Sequence, residues 1–429
     1  MSNKKYNNHT IININFGLIL LAFILLLVLT YPYAPILFEF FLIDNQYSYF
    51  TYIIISFFII LLYKKDGYKE KINISSKEIA FYGYLMFGLG LSYFFTGNST
   101  AIRDLLLLFF IIFLVKLLSG KNYVAVIRLY IFIITFLLLI SWIVISLYFM
   151  GIIDRLNWQI DNIYLSENNP FIVRALYMDF EWSLLLNLIV LPFNPDVSYQ
   201  RVTLIFLEPS CLAEITFPLI FIAILDKKIP YRKILIGTLL ISFLSAYSGW
   251  GLVVMLSSII LALFCVIFFK SPLKLFIFIS SLFIIIISGY VNDLIKLLLV
   301  FLPNDKLTEF ENKAEIGFIN YSYLFGNYFG LVDMDELKKM SSYGAEIVFY
   351  RYGIFGFIAY GISFLSLIIF SSRAATNWKS KFSVKVFSFI AIFGTTLMSL
   401  KNPSIILAMP LLVYYYIKNE EVLKSNSFT

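Results

Sequence analysis

Charge, histidine and cysteine are all scarce in this 429-residue chain. Charged residues make up 14% of it, whereas a soluble domain carries roughly 25%. The single histidine, His9, lies in a polar N-terminal stretch, so the rest of the chain lacks the commonest general base and metal ligand. Cys211 and Cys265 lie in apolar runs, where they are expected to act as small core hydrophobes. Neither a disulfide framework nor a metal-ligand spacing is predicted.

Apolar residues dominate the composition of the chain. The chain is 60% hydrophobic, with 46 Phe and 30 Tyr, and its mean hydropathy is +0.87. A membrane-spanning helix needs about 20 mostly apolar residues. Runs of that kind predict an all-α integral membrane protein with about twelve transmembrane helices, at 11–30, 47–63, 78–95, 101–118, 124–150, 203–225, 232–248, 250–269, 273–300, 344–370, 383–400 and 404–417.

The net charge of +7 has a topological meaning in such a chain. With the N-terminus in the cytoplasm, 22 of the 33 basic residues fall in cytoplasmic segments and 20 of the 26 acidic residues fall on the other side. Cytoplasmic loops are enriched in Lys and Arg, so the pattern predicts an even number of spans, with both termini cytoplasmic. The sequence has no basic stripe with interleaved aromatic residues, so a nucleic-acid partner is not predicted.

Two long loops lie on the predicted outer side, at 151–202 and 301–343, and every predicted cytoplasmic loop is short. The chain is otherwise interpreted as a single polytopic domain over 1–429. Its first apolar run lacks a small-residue cleavage site and is expected to be an uncleaved anchor. Long outer loops that carry Arg and aromatic residues, such as Arg174, suit chemistry in the aqueous phase.

Most of the charged residues near the predicted spans cluster at their outer ends, and charge within a span is a functional hypothesis by default. Arg201 and Glu208 lie at the start of the sixth span, Glu346 and Arg351 lie at the start of the tenth, and Lys401 lies between the last two. Arginine presents a planar fork that matches phosphate. Arg201 and Arg351 are therefore predicted to bind a diphosphate at the outer leaflet.

Structural interpretations of these residues stay open beside the functional ones. Pro209 suits the first turn of a helix, so Glu208 could act as a stabilising cap. Glu214 lies about 240° round the helix from Glu208, so the two acids do not share a face. Glu214 is interpreted either as a partner of a basic group or as a catalytic residue. Arg351 could extend its charged head to the interface, and Tyr343 could belong to an interfacial aromatic belt.

Two segments resemble the Wzy-type O-antigen polymerase family. The first is Phe206-Leu-Glu-Pro-Ser210, at the predicted outer start of a helix, which is similar to the family's Glu-Pro-Ser segment. The second combines Leu324–Gly330 with the stretch Ser342–Gly356 in the following helix. The motifs cover about 200 to 360, and the predicted topology extends the resemblance to the whole chain.

The resemblance implies a GT-C-like membrane glycosyltransferase of the bacterial inner membrane. Such an enzyme joins undecaprenyl-diphosphate-linked oligosaccharide repeat units at the periplasmic face, with membrane lipid and a polysaccharide chain-length regulator as further partners. No metal and no cofactor are required. Glu208 or Glu346 would act as the catalytic base, and the donor diphosphate and sugars would be held by Arg201, Arg351, Arg174, Lys401 and Tyr343.

Departures from the family pattern leave alternatives. O-antigen ligases often carry a histidine near the segment where this chain has Ser342 and Tyr343, which argues against a ligase. Trp250 stands where the family often has an arginine, which removes one expected diphosphate ligand. A lipid-linked oligosaccharide flippase would show two similar halves and charges near the midplane, whereas this chain shows no repeat. A membrane scaffold without chemistry would not need acids and arginines at two helix starts.

Overall fold

The computed structural model describes residues 16–30, 46–64, 83, 86–91, 94, 99–118, 120–150, 152, 204, 206, 209–246, 249–287, 344–376, 381–399 and 408–419. Within these ranges the regular structure is entirely helical. The helices are α1 (Phe16–Thr30), α2 (Gln46–Lys64), α3 (Ser99–Leu117), α4 (Gly120–Phe149), α5 (Pro209–Leu225), α6 (Arg232–Ser245), α7 (Gly249–Phe268), α8 (Pro272–Ile287), α9 (Gly344–Thr376), α10 (Phe382–Phe389), α11 (Thr395–Ser399) and α12 (Ala408–Lys418). A π-helical turn, Ile390–Gly394, joins α10 to α11 in one continuous rod.

Four described stretches are long and apolar enough to cross a membrane, namely Gly120–Ile143, Gly251–Phe268, Ile358–Thr376 and Phe382–Ser399. Further apolar helices are shorter, and α12 has only 11 described residues. At 1.5 Å per residue, 11 residues reach roughly 16 Å, about half of a bilayer core. The helical structure of the described residues and the four long apolar helices confirm an all-helical membrane protein. The count of twelve spans stays a prediction.

The helix positions follow the apolar runs of the sequence. Eleven of the twelve predicted spans overlap described helices, although α5 begins at Pro209, later than predicted, and the described helix α8 ends at Ile287, before the predicted end at 300. The break predicted near Gly249 is confirmed, because α6 ends at Ser245 and α7 begins at Gly249. The third predicted span, 78–95, is described only in part. There a Cβ on Gly88 would lie 2.6 Å from the Cβ of Ala359, so this segment packs closely against α9.

The rod made by α10, the π turn and α11 lies at the centre of the described bundle and packs against α5, α7, α9 and α12. Helix α5 is buried throughout 211–223. By contrast, α7 turns an apolar face outward, which carries the exposed side chains Val253, Leu256, Ile260, Leu263, Phe264, Ile267 and Phe268. A contiguous apolar face of this size marks an interaction site or a membrane surface.

Candidate functional site

The side chains of all seven predicted site residues lie outside the described part of the structure. Arg174, Arg201, Glu208, Tyr343 and Lys401 fall in ranges that are not described. The backbone of α9 includes Glu346 and Arg351 in its first eight residues, but their side chains are not described. What the structure supplies for these residues is the position and direction of the helices next to them.

Helix α5 begins at Pro209, after the predicted start of the span at 203, and this proline occupies the first turn, as its residue type predicts. Proline is favoured at the first helical position, because its fixed φ suits the helix and its missing N–H has no intrahelical acceptor there. Glu208 is the next residue toward the N-terminus, where the positive end of the helix dipole favours a carboxylate. Both interpretations of Glu208, as a cap and as a base, therefore stay open.

Glu214 lies five residues into α5, about 7.5 Å from its first residue along the axis. Its side chain is buried, with 4% of its surface exposed. An ionisable group inside a membrane helix is costly, and such groups usually face the interior of the bundle. Glu214 therefore belongs to the protein interior rather than to a lipid-facing surface, on the helix that follows the Glu-Pro-Ser segment.

One turn further along α5, Phe217 packs against the π turn of the central rod. A Cβ on Gly394 would lie 2.5 Å from the Cζ atom of Phe217 and 3.0 Å from the Oγ atom of Ser258 on α7. Phe217 is fully buried, and its ring centroid lies 5.9 Å from that of Phe243. Three helices thus meet at a glycine, next to a π turn of a kind that often occurs at functional sites.

Replacing Gly394 by alanine is expected to lower the free energy of unfolding by about 1–3 kcal/mol, because the new methyl group overpacks a core that the Phe217 ring already fills. The measurement is the thermal midpoint of the purified protein in detergent. Gly361→Ala is the matched control, since a Cβ on Gly361 in α9 meets nothing within 4 Å. An equal response of the two variants, or no recovery with Phe217→Leu added to Gly394→Ala, contradicts this packing.

The best-connected polar cluster in the described structure lies where α5 ends. The carboxylate of Asp226 is fully buried, and its Oδ2 accepts a hydrogen bond from the Nε of Arg128 on α4 at 2.7 Å. The same oxygen accepts a hydrogen bond from the hydroxyl of Tyr416 on α12. Its Oδ1 accepts one from the backbone N–H of Lys228 at 3.0 Å. We call Arg128, Asp226 and Tyr416 the basal triad.

Neighbouring contacts draw further helix ends to the basal triad. Arg232, at the start of α6, donates two hydrogen bonds of 2.8 Å to the carbonyls of Ala223 and Ile224 and so caps α5. The hydroxyl of Tyr123 on α4 donates to the carbonyl of Leu412 on α12 at 2.8 Å. These contacts fix the end of α5 and the starts of α4 and α6 at one end of the bundle.

Helix α12 presents three consecutive tyrosines at that end. Tyr414 stacks on Phe370 of α9 with ring centroids 4.1 Å apart. The ammonium of Lys116 on α3 lies 5.2 Å from the ring centroid of Tyr415, within the range of a cation–π interaction. Tyr416 completes the basal triad. Through these tyrosines, α12 contacts the C-terminal halves of α3 and α9, and it also contacts α4 and the end of α5.

The basal triad suits structural locking better than catalysis. Both oxygens of Asp226 already accept hydrogen bonds, and the arginine balances its charge. A carboxylate with these partners is a firm tie between helices. Arg128 and Asp226 are among the charged residues that the predicted topology assigns to the cytoplasmic side, and neither was predicted as a site residue. The available signal was the position of Arg128 inside the predicted span 124–150, since a charge within a span calls for a partner.

Metal-ligating residues do not cluster in the part of the chain that the structure describes, where no group of three or more His, Cys, Asp or Glu occurs. Cys211 and Cys265 are both buried free thiols, which confirms their interpretation as small core residues. Comparison with protein-family models, with curated proteins and with solved structures found no match to this chain.

Proposed function

We propose that this chain is a polysaccharide polymerase that joins lipid-diphosphate-linked oligosaccharide repeat units at the outer face of a bacterial inner membrane. The proposal rests on the residues of the Glu-Pro-Ser segment and of the start of α9, and on the directions of the two helices that follow those residues. The GT-C-like fold, the twelve spans and the cytoplasmic termini belong to the same proposal.

The observation that carries the proposal is that α5 and α9 run in the same direction. Helix α5 ends beside Asp226, which accepts a hydrogen bond from Tyr416, and Phe370 in the last third of α9 stacks on the adjacent Tyr414. The two starts therefore lie toward the opposite end of the bundle. About 25 Å of helix separates Pro209 from that basal end. The acid of Glu-Pro-Ser and the acid and arginine of α9 belong to helix starts at the same end.

The distribution of basic residues favours the outer face of the membrane for the end of the bundle where α5 and α9 start. The basal end carries Lys116, Arg128, Arg232 and Lys418, and Lys and Arg mark the cytoplasmic side of a membrane protein. The helix starts with Glu208 and Glu346 would then face the periplasm. A lipid-linked diphosphate sugar that has been moved to the outer leaflet presents its reacting carbon at that level.

In the proposed reaction the hydroxyl oxygen of the incoming unit attacks the anomeric carbon of the growing chain. The bond from that carbon to the diphosphate oxygen breaks, and the lipid diphosphate leaves with the electron pair. Glu208 or Glu346 takes the hydroxyl proton. Arg201 and Arg351, with Arg174 and Lys401, hold the diphosphate and stabilise its leaving charge. Tyr343 offers a ring against the sugar. A chain-length regulator is the proposed protein partner.

Cell-surface polysaccharide separated on a gel after deletion of the gene tests this proposal. A polymerase deletion removes the long-chain ladder and keeps the band that carries a single repeat unit, because export and attachment to the core still operate. Loss of both the ladder and the single-repeat band contradicts the proposal, since that pattern belongs to a flippase or a ligase. Return of the ladder with a plasmid copy of the gene is the control.

A further inference from the structure

The chain turns at a leucine just before α5. Leu204 has a φ of 53°, in the left-handed region, and its side chain is fully buried. A bulky residue in this conformation is an outlier, and backbone strain of this kind clusters at functional sites. We propose, on the basis of the function proposed above, that Leu204 is a positioning residue. It fixes the place of Glu208, a candidate base of the joining reaction.

The strained turn is anchored in the hydrophobic core. Leu204 has no exposed surface, and Phe206, two residues later, is only 2% exposed. Both side chains belong to the same buried cluster as Cys211 and Leu212 in the first turn of α5. Glycine would adopt a positive φ without strain, but it has no side chain to bury. Leucine at this position therefore combines the turn with an anchor.

The left-handed turn is not needed to start α5. Pro209 sets that start, because its ring suits the first helical position and disfavours helical geometry in the residue before it. The strain at Leu204 therefore has to be explained by something other than the helix start. The acid of the Glu-Pro-Ser segment lies between the strained turn and the proline.

Covalent geometry limits the distance between position 208 and these anchors. Consecutive Cα atoms lie about 3.8 Å apart across a trans peptide, so position 208 is one such step from Pro209 and two steps, at most roughly 7 Å, from Phe206. A change of backbone direction at Leu204 is passed along this short connection to the acid. A displacement of about 1 Å can slow a reaction by about 10²-fold. The turn can thus control the base without touching the substrate.

Apolar variants of Leu204 that differ in branching test the role of the turn. Leu204→Ile keeps the volume of the side chain, but its branched Cβ resists the left-handed conformation. We expect kcat for repeat-unit joining to fall by about 10²-fold with KM little changed. The conservative variant Leu204→Met, which is unbranched at Cβ, should restore most of the rate. Leu204→Ile/Glu208→Gln should be no slower than Glu208→Gln alone, because Leu204 acts through Glu208.

The place of residue 208 is also measured without turnover. Full-length Glu208→Cys in detergent is labelled with a maleimide, and the unmodified protein, whose Cys211 and Cys265 are buried, gives the background. Adding Leu204→Ile should change the labelling rate severalfold, whereas adding Leu204→Met should not. Leu204→Gly relieves the strain but removes the anchor, so it should also change the rate. This variant decides the question if the Ile variant does not fold.

The matched control is Tyr231→Val, because Tyr231 has a φ of 52° but is 73% exposed and lies between α5 and α6. This variant puts a branched Cβ into the same backbone conformation. It should lower the thermal midpoint and leave joining and labelling unchanged. Equal joining rates of Leu204→Ile and Leu204→Met, or unchanged labelling with both Leu204→Ile and Leu204→Gly, overturn the proposal. An unmodified protein that joins no repeat units overturns the polymerase instead, and labelling then still decides whether the turn places residue 208.

Discussion

Replacing Asp226 by alanine is expected to lower the free energy of unfolding by about 3–5 kcal/mol, the usual cost of removing one partner of a buried ion pair. The side chain of Arg128 is only 13% exposed, and Asp226 supplies its salt bridge. The same variant strips Tyr416 of its acceptor and releases the turn at Lys228. Unfolding of the purified protein in detergent, followed by circular dichroism, measures the loss.

Two further variants separate the charge from the packing of the basal triad. Arg128→Met/Asp226→Leu should regain much of the loss, because apolar residues of similar volume often replace a buried ion pair without cost. Tyr416→Phe should cost about 1.5–3 kcal/mol, the contribution of a hydrogen bond to a charged group. If Asp226→Ala unfolds at the same midpoint as the unmodified protein, the basal triad does not hold the helix ends together.

Replacing Glu208 by glutamine is expected to lower the rate of repeat-unit joining by about 10²–10⁴-fold, the usual contribution of a general base. Glutamine keeps the size of the side chain and removes its ability to accept a proton. The measurement is transfer between purified lipid-linked repeat units, at matched amounts of folded protein. Glu346→Gln and Glu214→Gln are assayed in parallel, because those acids are the other candidates on α9 and α5.

A further substitution separates the two interpretations of Glu208. Asparagine is a good residue at a helix start. Glu208→Asn should therefore change the free energy of unfolding by no more than the ~0.3–1 kcal/mol that an acidic residue at a helix start contributes. If Glu208 is the base, the Asn variant is as inactive as the Gln variant. Full activity of both variants at normal expression removes Glu208 as the base and leaves Glu346 and Glu214.

The helices were predictable because each consists of a long apolar run bounded by polar or helix-breaking residues. Pro209 and Pro272 each stand at the first position of a helix, as the preference for proline at that position predicts. Boundaries were less accurate where the signal was diffuse. Helix α4 starts at Gly120, before its predicted start at 124, because Lys121 and Asn122 are polar and yet lie in the helix.

Contacts between helices could not be read from the sequence. Nothing local to Asp226 points to Tyr416, which follows it by 190 positions and meets it only after lateral packing. Gly394 of the π turn likewise meets Phe217 of α5 only after the helices pack together. The predicted catalytic residues were inferred from residue type and from position near helix starts, and they stay predictions because their side chains lie outside the described part of the structure.

The most direct test of polymerase activity reconstitutes the purified protein in phospholipid vesicles together with undecaprenyl-diphosphate-linked repeat units and no other enzyme. We expect a ladder of longer oligosaccharides, each still attached to lipid diphosphate, with release of one undecaprenyl diphosphate for every bond formed. A lipid-linked pool that keeps a single repeat unit, with only its distribution between the two leaflets changed, contradicts a polymerase and indicates a transporter.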